Sequence, residues 1–469
     1  MCLARVARRR SSGLQMDDRL PAESRRSAEE RYADVSAPLA RIARMAAAFA
    51  GSTLVRGAIG FATSLVIARG LGREDFGRWV FCMAWASVLT SAFDLGFGVL
   101  LTRDAATSQH RLGDLVGNAL SVRLILFLPA ALLVRTTALR VVWSGGSTDT
   151  LTAVVWLAAV SLAYGCLSAV FRAWPKWLVT ILGVEAVGAA LQCVGSLWAV
   201  ARGVSALLWL AVAIQLAQLV VALALFRVVR SSDEPIAWTG MRSALALLRR
   251  ALPFAMTGIV ANAQTRLAPL MLGYLSSPAE VASFGAASRI GSVGKMLPSA
   301  AFAGALPVFA HEVGRGPVHA VRARFNSTLG IFVGVVATVT IVGAGPLVQV
   351  TYGTRFAPAA PAVVWIGIGL VPFVANSSRK IYLYAAGRER IALAWSTVAL
   401  AVQAIGCAAL ASTFGARGAA AALALGEALV WWPLRRAESV TDLGTWSFGL
   451  GSWSLLSPWS PVRPERTKN

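Results

Sequence analysis

Residues 204–226 read VSALLWLAVAIQLAQLVVALALF, a run without a single charged side chain. As a helix rising 1.5 Å per residue, such a run crosses a hydrocarbon layer of roughly 30 Å. Gln215 and Gln218 lie on one face of it. Amides at that spacing are expected to hydrogen-bond to a neighbouring helix, with sugar hydroxyls as the alternative partners. The rest of the chain repeats the pattern. From residue 45 onward twelve stretches are long and apolar enough to span, at about 45–68, 79–101, 115–134, 151–171, 178–200, 204–226, 251–274, 281–310, 326–350, 358–378, 391–413 and 415–434. Helix is the expected state of each, because backbone groups in lipid must be satisfied within the segment and no stretch alternates like a barrel strand. The eighth is weakly apolar, and Gly285, Gly291, Gly294 and Pro298 predict a bend there.

Composition agrees. The 469 residues are 57% hydrophobic and 14% charged, with a mean hydropathy of +0.64. A soluble domain carries about a quarter of its residues as charges. The net charge of +22 comes from 44 Lys+Arg against 22 Asp+Glu. These basic residues sit singly between apolar runs, not in a patch interleaved with aromatics, so nucleic acid is not the expected partner. With the N-terminus in the cytoplasm, 31 of them fall on the inner side, 8 on the outer side and 5 within spans. That asymmetry matches the positive-inside rule and places both termini in the cytoplasm of an inner-membrane, multi-pass protein.

The expected fold class is therefore an all-α integral membrane protein with about twelve transmembrane helices in two six-helix lobes. Residues 1–44, with ten arginines and six acids, read as a disordered basic cytoplasmic arm. Residues 45–226 form the first lobe, 227–250 a basic cytoplasmic linker with a surface helix over 241–250, and 251–436 the second lobe. Residues 437–469, with Trp446, Trp453 and Trp459, form a cytoplasmic tail, either on the headgroups or disordered. Leu71-Gly72-Arg73-Glu74-Asp75-Phe76-Gly77 has an echo in Leu275-Ser276-Ser277-Pro278-Ala279-Glu280-Val281-Ala282. The echo supports two repeats of six helices inserted the same way up.

Charged side chains inside spans are costly and usually face an interior or a wet cavity. Arg56, Arg123, Arg266, Arg289 and Lys295 stand there against Asp94, Glu185 and Glu427. The cationic surplus suits an anionic ligand, and the five basic residues are the candidate substrate-binding set. Arg56, at mid-span, is too deep to reach a headgroup. Arg266 shares a helical face with Asn262, and Gln264 adds polarity to that segment. Asp94 and Glu185 are candidates for ion coupling or for internal ion pairs. Glu427 is expected to pair with a nearby base. Cys2, Cys82, Cys166, Cys193 and Cys407 form no CxxC, and His110, His311 and His319 fall in polar connections, so no metal site, disulfide framework or cofactor is expected. Enzyme signatures such as GxSxG, Walker A and HExxH are absent, as is a large outer loop with paired acids, so no catalytic residues are expected.

Several short motifs carry a resemblance. They are Leu71–Gly77, Asp94-Leu95-Gly96, Leu252-Pro253, Leu272-Gly273-Tyr274, Tyr352-Gly353, Ala386-Gly387-Arg388 and Gly415-Ala416-Arg417-Gly418-Ala419. In order and spacing, over about residues 45–435, the chain resembles the Wzx-type polysaccharide biosynthesis flippases. Their superfamily also holds the multidrug and toxin extrusion transporters and the lipid II flippases. The resemblance implies a two-lobed transporter that moves undecaprenyl-pyrophosphate-linked oligosaccharide across the membrane by alternating access through a cationic cavity. It implies as partners a lipid-linked anionic glycan, membrane lipids and a glycan polymerase or other polysaccharide-assembly proteins. The position where relatives often carry an Asp, four residues before Leu272, is Ala268, which departs from an acid-based coupling site in that span. The two extra C-terminal helices of lipid II flippases have no expected counterpart. Rival readings are a multidrug antiporter of the same fold, which would need acids in its cavity, a membrane glycan polymerase or ligase, and a scaffold.

The charge asymmetry generates a direct test. In a cysteine-free background, Ser147→Cys should react with an impermeant thiol reagent added outside intact cells, and Ser232→Cys should not. Labelling at position 232 from outside would reverse the orientation.

Overall fold

The structure, a computed structural model, describes residues 50–107, 112–133, 148–229, 240–312 and 318–442. The expected basic arm, the middle of the linker and the tryptophan-containing end of the tail lie outside these residues, as do the side chains of His110, His311 and His319. The described residues contain helices and no strand. In chain order they are α1 (Ala50–Leu71), α2 (Arg73–Asp94), α3 (Phe97–Thr107), α4 (Leu112–Leu133), α5 (Thr148–Ala173) and α6 (Pro175–Ala199). There follow α7 (Gly203–Val229), α8 (Met241–Leu275), α9 (Pro278–Glu312), α10 (Val318–Val342), α11 (Ala344–Tyr352), α12 (Ala360–Ala385) and α13 (Glu389–Asp442).

The described residues of the twelve expected stretches are helical, the second interrupted at Leu95-Gly96 and the ninth at Gly343. By length and apolarity alone, six helical stretches among the described residues can cross a membrane, or eight if each of two bent pairs is one span. Two of the six are 54 and 49 residues long, Lys176–Val229 and Glu389–Ala437. Straight, the longer would reach about 80 Å, well over twice the hydrocarbon thickness. Both double back. In the first, Gly188 faces Gln218 and Gly195 faces Leu210, the pairing of an antiparallel hairpin between α6 and α7. In the second, Gly406 faces Ala422 and Gly418 faces Leu410, so α13 is a hairpin folded at Gly415 (φ 52°, ψ −134°).

The second expected stretch is broken. α2 and α3 meet at 51° through Leu95 (φ 51°), the one non-glycine at positive φ among the described residues, and Gly96 (φ 75°). Gly96 is required at this corner. A Cβ there would lie 2.5 Å from the Ala251 carbonyl oxygen of α8. α8 is itself bent by 57° between Leu252 and Phe254, where Pro253 has no N–H to donate. The expected surface helix over 241–250 is therefore the first limb of α8, and it is anchored: Ala244, Leu247 and Ala251 are buried with Phe97, Leu100, Val116 and Phe226.

The eighth stretch lies within one helical element, α9, and its glycines serve close packing. Gly285 lies against Val80, Gly291 against Ile366, and Gly294 against Val336 and Leu370. The main core joins α1, α2, α5, α7, α9, α12 and α13 through such small-residue approaches, with Phe81 seated on Gly273. Outward faces are apolar instead of polar, with Val194, Leu197, Val220, Val335 and Ile405 all exposed. A soluble protein rarely leaves so much large apolar surface uncovered.

The two echoing segments pack on each other. Arg73, at the start of α2, donates to the Ala279 carbonyl at 3.2 Å, to Glu280 at 3.1 Å and to Ser283 at 2.9 Å, all at the start of α9. Glu280 in turn accepts the Ala416 N–H at 2.8 Å, across the Gly415 fold. Gly77 makes the approach possible, since a Cβ there would fall 1.8 Å from the Pro278 carbonyl oxygen. Gly77→Ala should lower the melting temperature of the solubilised protein, by about 1 °C for each kcal/mol lost in a chain of 469 residues. Gly60→Ala, which has nothing within 4 Å of the added methyl, should leave it unchanged.

Candidate functional site

A cavity of about 640 Å³ opens among α1, α2 and α5 through α9. Its walls combine apolar surface from Trp79, Met83, Leu157 and Ile214 with an unusual density of polar groups. Ser87, Thr90 and Ser91 come from α2, Tyr164 and Arg172 from α5, Glu185 and Gln192 from α6, and Gln215 and Gln218 from α7. Arg56 enters from α1, Asn262 and Arg266 from α8, and Arg289 from α9. Four guanidiniums and one carboxylate thus face one space.

The charges divide into two groups. In the first, the Glu185 carboxylate is shared: one oxygen accepts from Arg56 and the other from Arg172, with the Tyr164 hydroxyl donating at 3.4 Å. The Glu185 side chain is 6% exposed, whereas Arg56 and Arg172 are 35% and 36% exposed. In the second group, Arg266 and Arg289 stand close enough to repel one another, and neither meets a carboxylate among the described residues. Arg266 donates to the Ser87 hydroxyl at 3.1 Å. Arg289 is within electrostatic reach of the Tyr352 phenol, whose hydroxyl is 3.1 Å from the Ser64 hydroxyl. Asn262 sits one turn before Arg266 and donates to Ser91 and Ser87, which fixes the α8 face that carries Arg266.

Of the residues singled out from the sequence, Arg56, Arg266, Arg289 and Glu185 come together here. Three do not. Arg123 has no exposed side-chain surface and donates to Asp94, to the Leu162 carbonyl at 3.0 Å and to the Cys166 sulfur at 2.7 Å, with its guanidinium 5.5 Å from the Phe97 ring centroid. The reason is the α2–α3 corner, which turns the Asp94 carbonyl and carboxylate toward α4. Asp94 therefore belongs to that pair and not to the cavity wall. Lys295 lies outside the cavity, its ammonium 4.1 Å from the Phe373 ring centroid and within reach of the Glu427 field. Glu427 accepts from Asn376 at 2.9 Å and also acts on Lys380.

Gln218 both lines the cavity and donates to the Val184 carbonyl at 3.2 Å, holding α7 to α6. Gln264 points elsewhere, donating to the Ser396 carbonyl at 3.1 Å while its own carbonyl accepts from Gln403. The residue that sequence reasoning missed is Arg172, which counts there as a cytoplasmic loop charge. Its signal was Pro175: proline at the first position of α6 lets α5 run on to Ala173, so Arg172 belongs to a helix end facing α6.

Residues 42–312 match the family described as polysaccharide biosynthesis protein, more than half of the chain. Among curated proteins no relative matches. The structure is similar to that of the lipid II flippase MurJ in an inward closed conformation, with a TM-score of 0.69 and 11% identity over 83% of this chain and 87% of that one. It is also similar to an inward-facing multidrug resistance MATE family transporter of the MOP superfamily, with a TM-score of 0.62 and 16% identity over 84% of this chain and 96% of that one. At such identities the likeness is one of fold. The chain is a multi-pass, all-helical membrane protein with a MATE-like fold, and it belongs to the polysaccharide biosynthesis protein family.

Proposed function

We propose that this protein is a flippase for a lipid-linked anionic glycan, and specifically for an undecaprenyl-pyrophosphate-linked oligosaccharide, in the cytoplasmic membrane. The observation that carries the reading is the charge of the cavity. Four arginines face one carboxylate, and Arg266 and Arg289 face each other with no acid between them among the described residues. Placing two guanidiniums together inside an apolar bundle is unfavourable unless an anion or water solvates them. A phosphate oxygen about 4 Å from one of them gains roughly 4 kcal/mol at an effective dielectric near 20, before desolvation. Planar guanidiniums match phosphate oxygens in a two-pronged geometry that a lysine does not reproduce. The amides and hydroxyls of Gln192, Gln215, Asn262 and Ser161 around them suit sugar hydroxyls. A cationic drug would meet repulsion in the same space, which disfavours the antiporter reading.

With both termini cytoplasmic, the α1–α2 loop lies on the outer side. Arg73 and Gly77 there hold the first-half helices against α9, and Arg69 donates to the carbonyls of Thr351 and Val350. In an alternating-access cycle these ties part to let the headgroup leave outward. Glycan-assembly enzymes, including a polymerase, are the partners this role requires on either side of the membrane.

Four substitutions separate binding from folding. In a flippase-deleted host, with surface glycan normalised to membrane-protein level, Arg56→Ala and Arg266→Gln should each reduce export at least tenfold at normal abundance. Arg56→Lys should restore export only in part. Arg123→Ala should instead lower the amount of protein, because it leaves Asp94 and the Leu162 carbonyl without their donor and a void where an unexposed side chain stood. Full export by both cavity variants would overturn the anion-binding reading.

A further inference from the structure

We propose that Glu185 is the release element of the cavity: a built-in anion that competes with the substrate's own for Arg56 and Arg172. The inference rests on the reading of the cavity as an anion site, and it assigns different work to the two arginine groups. Arg266 and Arg289 have no internal competitor among the described residues and take the incoming anion first. Arg56 and Arg172 already hold an anion, and a substrate reaches them only by exchange.

The geometry is that of an exchangeable pair and not of a packing strut. A strut encloses and saturates its cation, as Arg123 is enclosed, with an unexposed side chain and four acceptors from three residues. Here the carboxylate is the enclosed partner, and the Arg56 and Arg172 side chains, both lining the cavity, are about a third exposed. Neither is saturated. The Nε donors of both Arg56 and Arg172 have no acceptor among the described residues. A guanidinium offers five N–H donors, and these two commit one each to Glu185. The carboxylate itself is held in place. Tyr164 donates to it, and Gly188, one turn further along α6, abuts the Gln218 amide that ties α7 to α6. Two partly exposed cations thus face one buried anion, and the other charges around the space are the cationic Arg266 on α8 and Arg289 on α9.

A transporter must let go of what it binds, and differences in affinity reside mostly in the off-rate. An anion gripped by four uncompensated arginines would leave slowly. When Glu185 reclaims Arg56 and Arg172, half of that grip is withdrawn without water having to solvate the two freed cations. Glu185 is on this account a positioning residue: it acts through the arginines and does not touch the substrate.

Two measurements on the full-length protein in lipid nanodiscs and proteoliposomes test this. The first is the affinity for inorganic pyrophosphate by calorimetry. The second is the rate of net flipping of a fluorescent polyprenyl-diphosphate saccharide. Glu185→Gln should bind pyrophosphate about tenfold tighter and flip about tenfold slower. Glu185→Asp, which keeps the charge but withdraws it by one methylene, should fall between that variant and the wild type on both readouts. A strut would give the opposite signature, with affinity and flipping falling together, and that result, or no change in either, overturns the proposal. If Glu185→Gln does not insert, the Asp variant decides alone: tighter binding supports the proposal, equal or weaker binding overturns it. Arg266→Gln in the same assay tests the underlying anion reading separately, since it should lose pyrophosphate whatever Glu185 does. Failure of the wild type to bind pyrophosphate overturns both.

Discussion

A guanidinium or ammonium inside an apolar helix bundle must be solvated by something, and this chain places five basic side chains where lipid or protein would otherwise surround them. The structure meets that demand in three ways. Arg123 is enclosed by Asp94, two backbone carbonyls and a sulfur, with no solvent at all. Lys295 rests on the Phe373 ring in the field of Glu427. Arg56, Arg266 and Arg289 are turned into a cavity large enough for the headgroup of a small ligand. The third solution requires a space to exist, and the helix arrangement follows from keeping it open.

Small residues hold that arrangement. Gly77, Gly96, Gly273 and Gly291 let carbonyls and rings of neighbouring helices approach to distances that any Cβ would forbid. In lipid there is no hydrophobic gain from bringing two apolar helices together, so close van der Waals contact and hydrogen bonds between helices carry the packing. The cavity wall uses the second of these. Asn262 bridges to Ser87 and Ser91, and Gln218 bridges to Val184, so the same polar groups that face the space also brace it.

Much of this was legible in the sequence, and the reason is physical. Lipid imposes length and apolarity on every span, so the apolar stretches announce themselves, and their described residues are almost wholly helical. Depth is equally readable, which is why Arg56, Arg266 and Arg289 stand out as interior cations. What a side chain meets across the bundle is set by rotation and tilt, and neither leaves a mark in a hydropathy pattern. Arg123 and Lys295 are as deep as the cavity arginines yet face other helices. Arg172 looks like a loop charge because the span ends near it, and only the Pro175 boundary shows that it belongs to α5. The corner at Leu95-Gly96 was hidden for a different reason: an apolar run reads the same whether it is straight or turned by 51°.

Glu280 joins two kinds of bond at one carboxylate. It accepts the Ala416 N–H beside the Gly415 fold, and it meets Arg73 from α2. The first partner belongs to the same half of the chain and travels with it, so parting the two halves removes only the second. Arg73 and Glu280 are 26% and 31% exposed, and an ion pair so placed contributes about 1 kcal/mol or less. That corresponds to a population ratio of roughly five at most. In the proposed alternating-access cycle such a tie would tilt the equilibrium without locking it, and because the pair is screened by dissolved ions, the resting balance would depend on the ionic strength at that face.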